Sequence, residues 1–560
     1  MNAGSLYING LIFTGSESCG VRDDTSTIED APTAIAVDLG RVVAVGSTED
    51  VLAFARPDSA ITDLGGRRVI PGLIDAHLHA VRAGATWNQE LHWTGVRDIA
   101  SALASIRRAA ASAMPNTWIR VVGGWHPSQF IENRVPTRSE LDDVSGDHPV
   151  YVQALYESAI LNSEGLKAVG FDAPLVDSTG GVELSPNGEP TGVITGMVAF
   201  AACLAVMEPS SGEEKRSGTA AMLRQLHALG LTGIVDPGGF NMPPESYDSL
   251  FDLWRGGELT MRMRLFVSAV DAGKEYEQLN AWLRHAHSHF GDDMLRLVGI
   301  GEVVHYGCHD FEGLASDFYI SPGARGELLA ISRRTAERGW PMHIHAVLDS
   351  SIDVILDCWE QVNEEFPLRG LRFSLVHVDT ISTRNIARLE KLGVGVVVDD
   401  HLVFKAALSE QAWGTASLRR APPLLDLLDA GVPVAAGTDA NRASSFNPWL
   451  ALWWLIAGRS LDGVVRRDEA QRMTRTQALV AYTSGSAWLS SEEDDRGHLR
   501  VGARADFAVL DADYFNVPLD EIPWISADLT VVGGREVYSN GSLSDTTPKS
   551  GANLSTRVLQ

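Results

Sequence analysis

Cysteine is scarce in this sequence of 560 residues. The four cysteines, Cys19, Cys203, Cys308 and Cys358, are widely scattered, and no two of them form a Cys-x-x-Cys pair. This scatter argues against a disulfide framework and is typical of reduced thiols inside a cell. Residues 1–16 also lack the basic region of a secretory signal peptide. Together these absences predict a cytoplasmic protein.

Basic residues and long apolar runs are also few. Lysine and arginine total 46, against 72 aspartate and glutamate residues, which gives a formal net charge of −26. Because a protein of this charge repels phosphate, the composition argues against a nucleic acid or an anionic membrane as the partner. No apolar run reaches the length of about 18 residues that spans a membrane. We therefore expect a small-molecule partner, and homo-oligomerisation stays open.

A strand–helix pattern fills the middle of the chain. From Gly72 onward, apolar strand candidates alternate with amphipathic stretches such as residues 218–229, 325–338 and 383–392. Eight candidates have the character of buried parallel strands, at residues 73–79, 231–236, 262–268, 297–303, 341–346, 372–377, 394–399 and 432–438. They predict an α/β fold with a (β/α)8 TIM-like barrel and an active site at the C-terminal strand ends. A doubly wound sheet is the second choice, because no GxGxxG turn follows these strands.

The two ends of the chain differ from the middle in their predicted secondary structure. Residues 34–37 and 41–45 read as short strands on either side of an Asp38-Leu39-Gly40 turn, and residues 506–510 and 529–538 have the same character. We therefore predict that residues 1–70 and 491–545 form one small β-sandwich domain. It would lie beside a barrel domain of residues 71–490 and be followed by a mobile tail at residues 546–560.

A long segment separates the first two predicted barrel strands. It is too long for one helix, and a structureless loop of that length is implausible. It contains a strand-like stretch at residues 149–153 and four tryptophans, Trp87, Trp93, Trp118 and Trp125. We interpret residues 81–217 as an inserted subdomain that caps the mouth of the barrel.

Histidines at the predicted strand ends carry the strongest functional signal. His77 and His79 are separated by one residue, so their side chains project to the same side of the first strand. Two converging imidazoles suit a divalent metal, most often zinc, although a surface pair at a strand-to-loop junction gives the same pattern. His345, His377 and Asp439 follow the fifth, sixth and eighth strands. Since these ends meet at one barrel mouth, the five residues predict a metal site with a carboxylate that can bind metal or move protons.

The motifs taken together resemble those of the amidohydrolase superfamily, and more narrowly amidohydrolase family 3, which includes N-substituted formamide deformylases. The matching stretches cover nearly the whole chain, at residues 69–79, 118–125, 135–138, 162–163, 189–192, 345–346, 377, 437–440 and 499–510. The resemblance implies a metal-dependent hydrolase built on a (β/α)8 barrel. It also implies that His77, His79, His345 and His377 bind metal, and that Asp439 is both a ligand and the general base.

Two positions depart from the pattern of that family. Relatives commonly carry a fourth-strand lysine that bridges two metals when carbamylated, whereas this chain has Glu302. A glutamate can bridge two metals with its own carboxylate, so Glu302 is a candidate ligand, with a salt-bridged or rim carboxylate as the alternative. The number of ions, one or two, therefore stays open. Residues 154–158 replace an Asp-Gly-His stretch of many relatives and make Glu157 a candidate substrate contact.

Other candidate site residues have weaker signals. His401, after the seventh strand, could bind the substrate or its oxyanion, with a polar rim residue as the alternative. Trp125 in the insertion is a candidate substrate contact, although aromatic residues more often fill cores. His305 and His309 flank Cys308 after the fourth strand, and a role at the rim or beside the metal site is one interpretation of their spacing.

The predicted activity is metal-assisted hydrolysis of a C–N bond in an amide, formamide, carbamate or cyclic amide. One or two divalent ions, zinc by preference, would lower the pKa of water toward ~7, and Asp439 would accept its proton and return it to the leaving amine. The tryptophans of the insertion, with Trp449, Trp453 and Trp454, favour an apolar or aromatic substrate. A deaminase of a heterocyclic amine is the alternative enzyme hypothesis, and a non-catalytic small-molecule sensor on the same scaffold is a third.

Overall fold

The computed structural model describes residues 3–15, 31–171, 181–310 and 318–545. Cys19 and the tail predicted at residues 546–560 lie outside these ranges. In chain order, the strands are β1 (Ala3–Ile8), β2 (Leu11–Ile12), β3 (Ala34–Asp38), β4 (Arg41–Gly46), β5 (Ala55–Asp63), β6 (Arg68–Pro71), β7 (Leu73–Asp75), β8 (Ile119–Val122), β9 (Val150–Ala154), β10 (Ser158–Leu161), β11 (Val182–Leu184), β12 (Pro190–Ile194), β13 (Leu231–Asp236), β14 (Arg262–Val267), β15 (Phe290–Gly291), β16 (Leu295–Ile300), β17 (His343–Ala346), β18 (Ser374–His377), β19 (Gly395–Val398), β20 (Val434–Ala436), β21 (Phe507–Leu510), β22 (Ala527–Val532), β23 (Arg535–Ser539) and β24 (Ser544–Asp545).

The α-helices lie mainly between these strands. They are α1 (Thr48–Leu52), α2 (Ala80–Gly84), α3 (Ile99–Ser112), α4 (Arg138–Ser145), α5 (Ser163–Val169), α6 (Met197–Ala205), α7 (Gly212–His227), α8 (Asp248–Arg255), α9 (Glu275–His285), α10 (Pro322–Glu337), α11 (Asp349–Glu365), α12 (Thr383–Leu392), α13 (Leu402–Trp413), α14 (Thr415–Leu418), α15 (Leu424–Asp429), α16 (Pro448–Ala457), α17 (Arg475–Val480) and α18 (Ser486–Trp488). Within the described ranges, none of these helices combines the length and apolarity that crossing a membrane requires.

Eight parallel strands form the centre of the fold. β7, β13, β14 and β16 pair in parallel in one sheet, and β17 to β20 pair in parallel in a second. Backbone hydrogen bonds join the two sheets on both sides, from the Ile300 amide to the Pro341 carbonyl at 3.0 Å and from the Ala76 amide to the Ala436 carbonyl at 3.1 Å. The strands are buried along almost their whole length, as expected where helices cover a parallel sheet. The prediction of a TIM-barrel-like α/β fold is confirmed, and each of the eight predicted strands is present.

Local signals set the ends of the barrel helices. The Ser321 hydroxyl accepts a hydrogen bond from the Ala324 amide at the start of α10, and α12 ends before Gly393, whose left-handed conformation favours glycine. Helix α7 begins six residues earlier than the apolar pattern alone indicated. A capping box explains this difference, because Ser211 and Glu214 each accept a hydrogen bond from the other's backbone amide.

Two five-stranded sheets contain strands from both ends of the chain. β6 pairs antiparallel with β21, and β24 pairs antiparallel with β5. The Asp38-Leu39-Gly40 signal corresponds to the connection between the antiparallel strands β3 and β4. Tyr7 of the first sheet packs edge-on against Phe507 of the second, with ring centroids 4.9 Å apart. The two ends of the chain therefore share an apolar core.

A fifth sheet lies in the segment between β7 and β13. Its strand order is β11, β12, β10, β9, β8, and its own apolar core includes Trp93, Trp125 and Phe130. This segment touches the barrel close to the end of β20, where the Asn441 side-chain amide donates a hydrogen bond of 3.1 Å to the Val122 carbonyl. Gly123 and Gly124 permit this approach, since a Cβ on Gly123 would lie 2.3 Å from the Asn441 carbonyl oxygen.

Candidate metal centre

Six side chains meet at one end of the barrel, each within or just after a barrel strand. None is more than 6% exposed. They are His77 and His79 after β7, Glu302 after β16, His345 in β17, His377 at the end of β18 and Asp439 after β20. Because the C-terminal ends of parallel strands open on the same side of a barrel, residues that are distant in sequence become neighbours there. The structure thus brings together the whole set of metal-ligand candidates.

The carboxylate of Glu302 lies between two groups of histidines. Its Oε2 atom is 3.4 Å from His79 Nε2 and 3.8 Å from His77 Nε2. Its Oε1 atom is 3.3 Å from His345 Nδ1 and 3.9 Å from His377 Nε2. Burial alone would raise the pKa of Glu302, but the neighbouring imidazoles, first among them His79, hold it well below its ordinary value. The carboxylate therefore presents one oxygen to each histidine group.

Asp439 lies beside the first histidine group. Its Oδ1 atom is 3.1 Å from His79 Nε2 and 3.5 Å from His77 Nε2. Its backbone φ is 54°, and that of His377 is 72°, in the left-handed region that residues other than glycine seldom adopt. The Asp439 amide donates a hydrogen bond of 2.7 Å to the His77 carbonyl, which helps to hold this conformation. Such strained positions cluster at functional sites.

The donor atoms of this centre fit a metal ion. The Nε2 atoms of His77 and His377 are buried, yet neither has a hydrogen-bond partner within the part of the chain that the structure describes. A buried nitrogen without a partner is costly unless another ligand satisfies it. Two ligands of a tetrahedral zinc ion, each about 2.0–2.1 Å from it, lie roughly 3.4 Å apart. The distances of 3.1 Å and 3.4 Å from His79 Nε2 to its two carboxylate neighbours match that spacing.

Hydrogen bonds behind the ligand candidates fix their rings. His77 Nδ1 lies 3.0 Å from His343 Nε2, and His343 Nδ1 lies 3.0 Å from the Ser374 hydroxyl. All three side chains are fully buried. Such partners orient a ligand imidazole and set its tautomer. His343 was not singled out from the sequence, although it repeats the His-x-His spacing with His345 that marks one side of a strand.

A second series of hydrogen bonds holds the His377 ring. Asp399 bonds to His377 Nδ1 with one carboxylate oxygen and to His401 Nδ1 with the other. His401 Nε2 lies 2.8 Å from Asp379 Oδ2. Burial would raise the pKa of Asp399, but the charges of His401 and His377 hold it well below its ordinary value. Both ring nitrogens of His401 are therefore engaged by carboxylates, so this histidine supports His377 and is not available to bind a substrate oxyanion.

Asp75 connects the first and last barrel strands beneath the site. Its Oδ1 atom accepts hydrogen bonds from the amides of His77 and Thr438, at 3.0 Å and 3.1 Å, and its Oδ2 atom accepts from the Thr438 hydroxyl at 2.7 Å. Burial raises the pKa of Asp75 to about 7 despite these bonds. These contacts set the backbone that carries His77 and Asp439 into the site.

The loop after β16 contributes two further side chains. His309 stacks on His345 with ring centroids 3.6 Å apart, and Asp310 Oδ1 lies 3.2 Å from His345 Nε2. Asp310 also accepts hydrogen bonds from the Val347 and Leu348 amides, which anchors the loop against the end of β17. Asp310 was missed in the sequence because no strand periodicity reaches it. His305, in contrast, lies away from the centre, 3.6 Å from Glu327.

Two proposed substrate contacts lie in the insertion. Trp125 is fully buried and stacks on Phe130, with ring centroids 5.2 Å apart. Its side chain therefore fills the core of the insertion and does not line a substrate site, contrary to the prediction from the sequence. The half-buried Glu157 carboxylate lies 3.2 Å from His126 Nε2. An apolar pattern alone does not separate a core tryptophan from one that lines a pocket.

A cavity of about 590 Å³ lies between the insertion, the segment after β20 and residues Leu519–Trp524. Its walls include Phe130, Phe404, Trp453 and Trp524. This volume lies in the range of small-molecule pockets, which are mostly apolar and aromatic.

The sequence and the fold are similar to those of known proteins. Residues 60–538 match the model of the Amidohydrolase family. The chain is 27% identical over 523 residues to an N-substituted formamide deformylase of Arthrobacter pascens, covering 90% of this chain and 94% of that protein. It is 24% identical over 552 residues to the putative amidohydrolase YtcJ of Bacillus subtilis, covering 95% and 99%.

Solved structures show the same fold. An uncharacterized metal-dependent hydrolase from Pyrococcus horikoshii OT3 superimposes with a TM-score of 0.64 at 20% identity, covering 92% of this chain and 99% of that one. The atrazine chlorohydrolase TrzN from Arthrobacter aurescens TC1, crystallised with zinc, superimposes with a TM-score of 0.52 at 16% identity, covering 98% and 97%.

Proposed function

This chain belongs to the amidohydrolase family and is a hydrolase that acts on C–N bonds. From that premise we propose that it hydrolyses an amide-type bond in a small organic molecule. The observation that carries the proposal is the buried centre of four imidazoles and two carboxylates at the barrel mouth. A non-catalytic sensor on the same scaffold would not need this complete set of donor atoms.

We infer that the centre holds two divalent ions, with zinc as the preferred metal. His77, His79 and Asp439 would hold one ion, and His345 and His377 would hold the other. The two carboxylate oxygens of Glu302 support this division, since each faces a different histidine group. When bound, divalent ions supply Lewis acids that polarise a carbonyl oxygen and lower the pKa of water.

Asp439 is the residue that moves the proton in this proposal. Its carboxylate would accept a proton from the attacking water and then donate it to the leaving nitrogen, so that one group serves as base and then as acid. The backbone bond from Asp439 to His77 and the Asp75 contacts to Thr438 hold the carboxylate in place for both steps. His343 and Asp399 keep the rings of His77 and His377 oriented.

The substrate that fits best is an N-substituted amide, formamide, carbamate or cyclic amide with an apolar or aromatic substituent. The 590 Å³ cavity has aromatic walls that would accept the apolar substituent, although none of the six metal-ligand candidates lines it. A relative that is named for N-substituted formamides also supports this class.

We also propose a domain arrangement for this function. Residues 1–70 and 491–545 would form a β-sandwich beside the barrel of residues 71–490, and residues 81–217 would cap the site. The shared core of Tyr7 and Phe507 supports the first part, and the contact between Asn441 and Val122 supports the second.

The test is a panel of N-formyl, N-acyl, carbamate and cyclic amide compounds assayed with zinc-loaded protein. We expect an amine and a carboxylic acid from the N-formyl and N-acyl compounds, an amine and a carbonic half-ester from the carbamates, and one ring-opened amino acid from a cyclic amide. Asp439→Asn should lose turnover at unchanged protein stability. Asp58→Asn is the matched control, because Asp58 is 86% exposed and outside the site. Release of ammonia without a carboxylate product would instead identify the deaminase, and normal turnover by Asp439→Asn would refute the role of Asp439.

A further inference from the structure

Three side chains that play no part in the proposed reaction meet where helices α9 and α10 approach the loop after β16. Glu275 is the first residue of α9, Glu327 lies in α10, and His305 lies in that loop. His305 Nε2 is 3.6 Å from Glu327 Oε2, and His305 Nδ1 is 4.0 Å from Glu275 Oε1. One nitrogen or oxygen atom of each residue lies within 4.8 Å of the other two. We call these three residues the peripheral cluster.

Glu275 is the most deeply buried residue of the peripheral cluster. It is 1% exposed, and its Oε1 atom accepts a hydrogen bond of 3.2 Å from the Tyr306 amide. Its Oε2 atom is also buried, but it has no hydrogen-bond partner among the residues that the structure describes. A buried carboxyl oxygen without a partner is costly, so we expect a ligand there that the chain itself does not provide.

No lysine or arginine balances the two acidic side chains. Within the described ranges, His305 is the only basic residue within 4.0 Å of either carboxyl group. The basic residues closest in sequence, Lys274 and Arg325, form ion pairs with Asp271 and Asp357 instead. The start of α9 favours one acidic residue, because the first backbone amides of a helix attract negative charge. It does not explain why a second carboxyl group and an imidazole lie beside the first.

We propose that Glu275, His305 and Glu327 bind a further divalent cation, zinc by preference, outside the central metal site. Zinc accepts imidazole nitrogens and carboxylate oxygens as ligands in proteins, and water can complete a set of three. None of the three residues belongs to the central site, so the peripheral cluster can bind zinc whether or not the proposed function holds.

The hydrogen bonds of His305 define how its ring takes up the cation. The Gly307 amide donates a hydrogen bond of 2.9 Å to Nδ1, so the ring proton is on Nε2, which faces Glu327. The ion replaces that proton, since the 3.6 Å between Nε2 and Glu327 Oε2 is close to the roughly 3.4 Å between two ligands of tetrahedral zinc. The ring proton then moves to Nδ1, which exchanges the Gly307 bond for one to Glu275 Oε1.

An ion at the peripheral cluster connects two helices to the loop after β16. The same loop carries His309, which stacks on His345, and Asp310, which accepts hydrogen bonds from two amides just after β17. The ion therefore stabilises a loop that packs against a ligand candidate of the central site. Because the Glu327 side chain is 34% exposed, we expect the peripheral cluster to bind zinc more weakly than the buried central site and to fill last.

Zinc titration of metal-free protein by calorimetry tests the peripheral cluster. We expect three equivalents to bind to the wild type and one fewer to His305→Gln and to Glu327→Gln, with the weakest step lost. Glu277→Gln is the matched control, because Glu277 is an exposed residue of the same helix as Glu275. Crystals of zinc-loaded wild-type protein, measured at the zinc absorption edge, should show an anomalous peak between the three side chains. This second measurement does not depend on whether a variant folds.

Equal zinc stoichiometry in the wild type and in both variants would overturn the proposal. Crystals with no anomalous peak between the three side chains would overturn it as well, even if the weakest step were lost in the variants. Zinc bound at the peripheral cluster of a protein that hydrolyses no compound of the panel would refute the proposed function and keep this site. Hydrolysis by a protein whose peripheral cluster binds no zinc would do the reverse.

Discussion

The Nδ1 atom of His77 lies 3.0 Å from the Nε2 atom of His343, so a histidine of the fifth barrel strand holds a histidine that follows the first. Both are fully buried, and His343 is in turn bonded to the Ser374 hydroxyl. The metal centre is thus built from ligand candidates and from a layer of partners beneath them. Substitution of these partner residues tests the role of each one in metal binding.

Replacing His343 with leucine should weaken zinc binding by about 10- to 100-fold, the usual cost of losing a partner that orients a ligand imidazole. The reason is that His77 loses the neighbour that fixes its tautomer. Competition with a chromophoric chelator measures the affinity. Ser374→Ala removes only the outer bond and should have a smaller effect. An unchanged zinc affinity in His343→Leu would show that His77 needs no such partner.

Asp399→Asn should weaken metal binding at the site that includes His377 more than at the site that includes His77. An asparagine offers one acceptor oxygen, whereas the Asp399 carboxylate bonds to both His377 and His401. We expect a loss of about 10- to 100-fold at the site that includes His377. Zinc titration followed by calorimetry resolves the two binding steps. Asp379→Asn is the matched variant, because Asp379 contacts His401 and not His377. It should lose less metal affinity than Asp399→Asn. The prediction fails if both steps weaken equally.

Gly437→Ala should disrupt the site through sterics alone. A Cβ at this position would lie 2.5 Å from the His77 backbone nitrogen and 2.7 Å from Asp75 Oδ1, and neither group can retreat inside the barrel. We expect destabilisation of about 1–3 kcal/mol and loss of activity. Gly326→Ala in α10 meets nothing within 4 Å and should be neutral or stabilising by about 0.5–1 kcal/mol. Thermal unfolding compares the two variants, and equal melting temperatures would contradict the prediction.

His227 should make the metal-free protein less stable in acid. It is fully buried, and its two ring nitrogens bond to the Leu231 carbonyl and the Thr260 hydroxyl. Burial lowers its pKa to about 4. Because the unfolded chain takes up the proton first, near pH 6.5, this stability is complete above that pH and is lost as the pH falls toward 4. The expected loss is about 3 kcal/mol.

Urea unfolding of metal-free protein at pH 7.5 and pH 5 checks this dependence. His227→Gln removes the titrating group and should flatten the pH dependence relative to wild type. His287→Gln, at an exposed histidine, should leave it unchanged. The assignment to His227 is wrong if His227→Gln keeps the full wild-type slope.

Much of the barrel was predictable from the sequence because parallel strands buried on both faces appear as apolar runs between helical segments. The ends of strands such as Leu231–Asp236 follow directly from that pattern. Candidate ligands were recognisable for the same reason, since His345, His377 and Asp439 come at the ends of these runs.

The supporting residues were harder to predict. Asp399 lies at a predicted strand end, but the sequence does not show that its carboxylate serves two histidines. Asp310 reaches the site from a loop, where no periodicity indicates direction. Trp125 was interpreted as a substrate contact because pocket and core aromatics have the same apolar character, whereas the structure places it in the core of the insertion. The surroundings of these three side chains depend on tertiary contacts between segments that are far apart in sequence.

The most direct test of a two-ion hydrolase is a zinc titration of activity. Metal-free protein is prepared with a chelator, and the hydrolysis rate of the best amide in the panel is measured against zinc equivalents. We expect no turnover without metal and a rate that rises until two equivalents are bound, and we expect Glu302→Gln not to reach that plateau. Full activity in the metal-free protein would contradict this expectation.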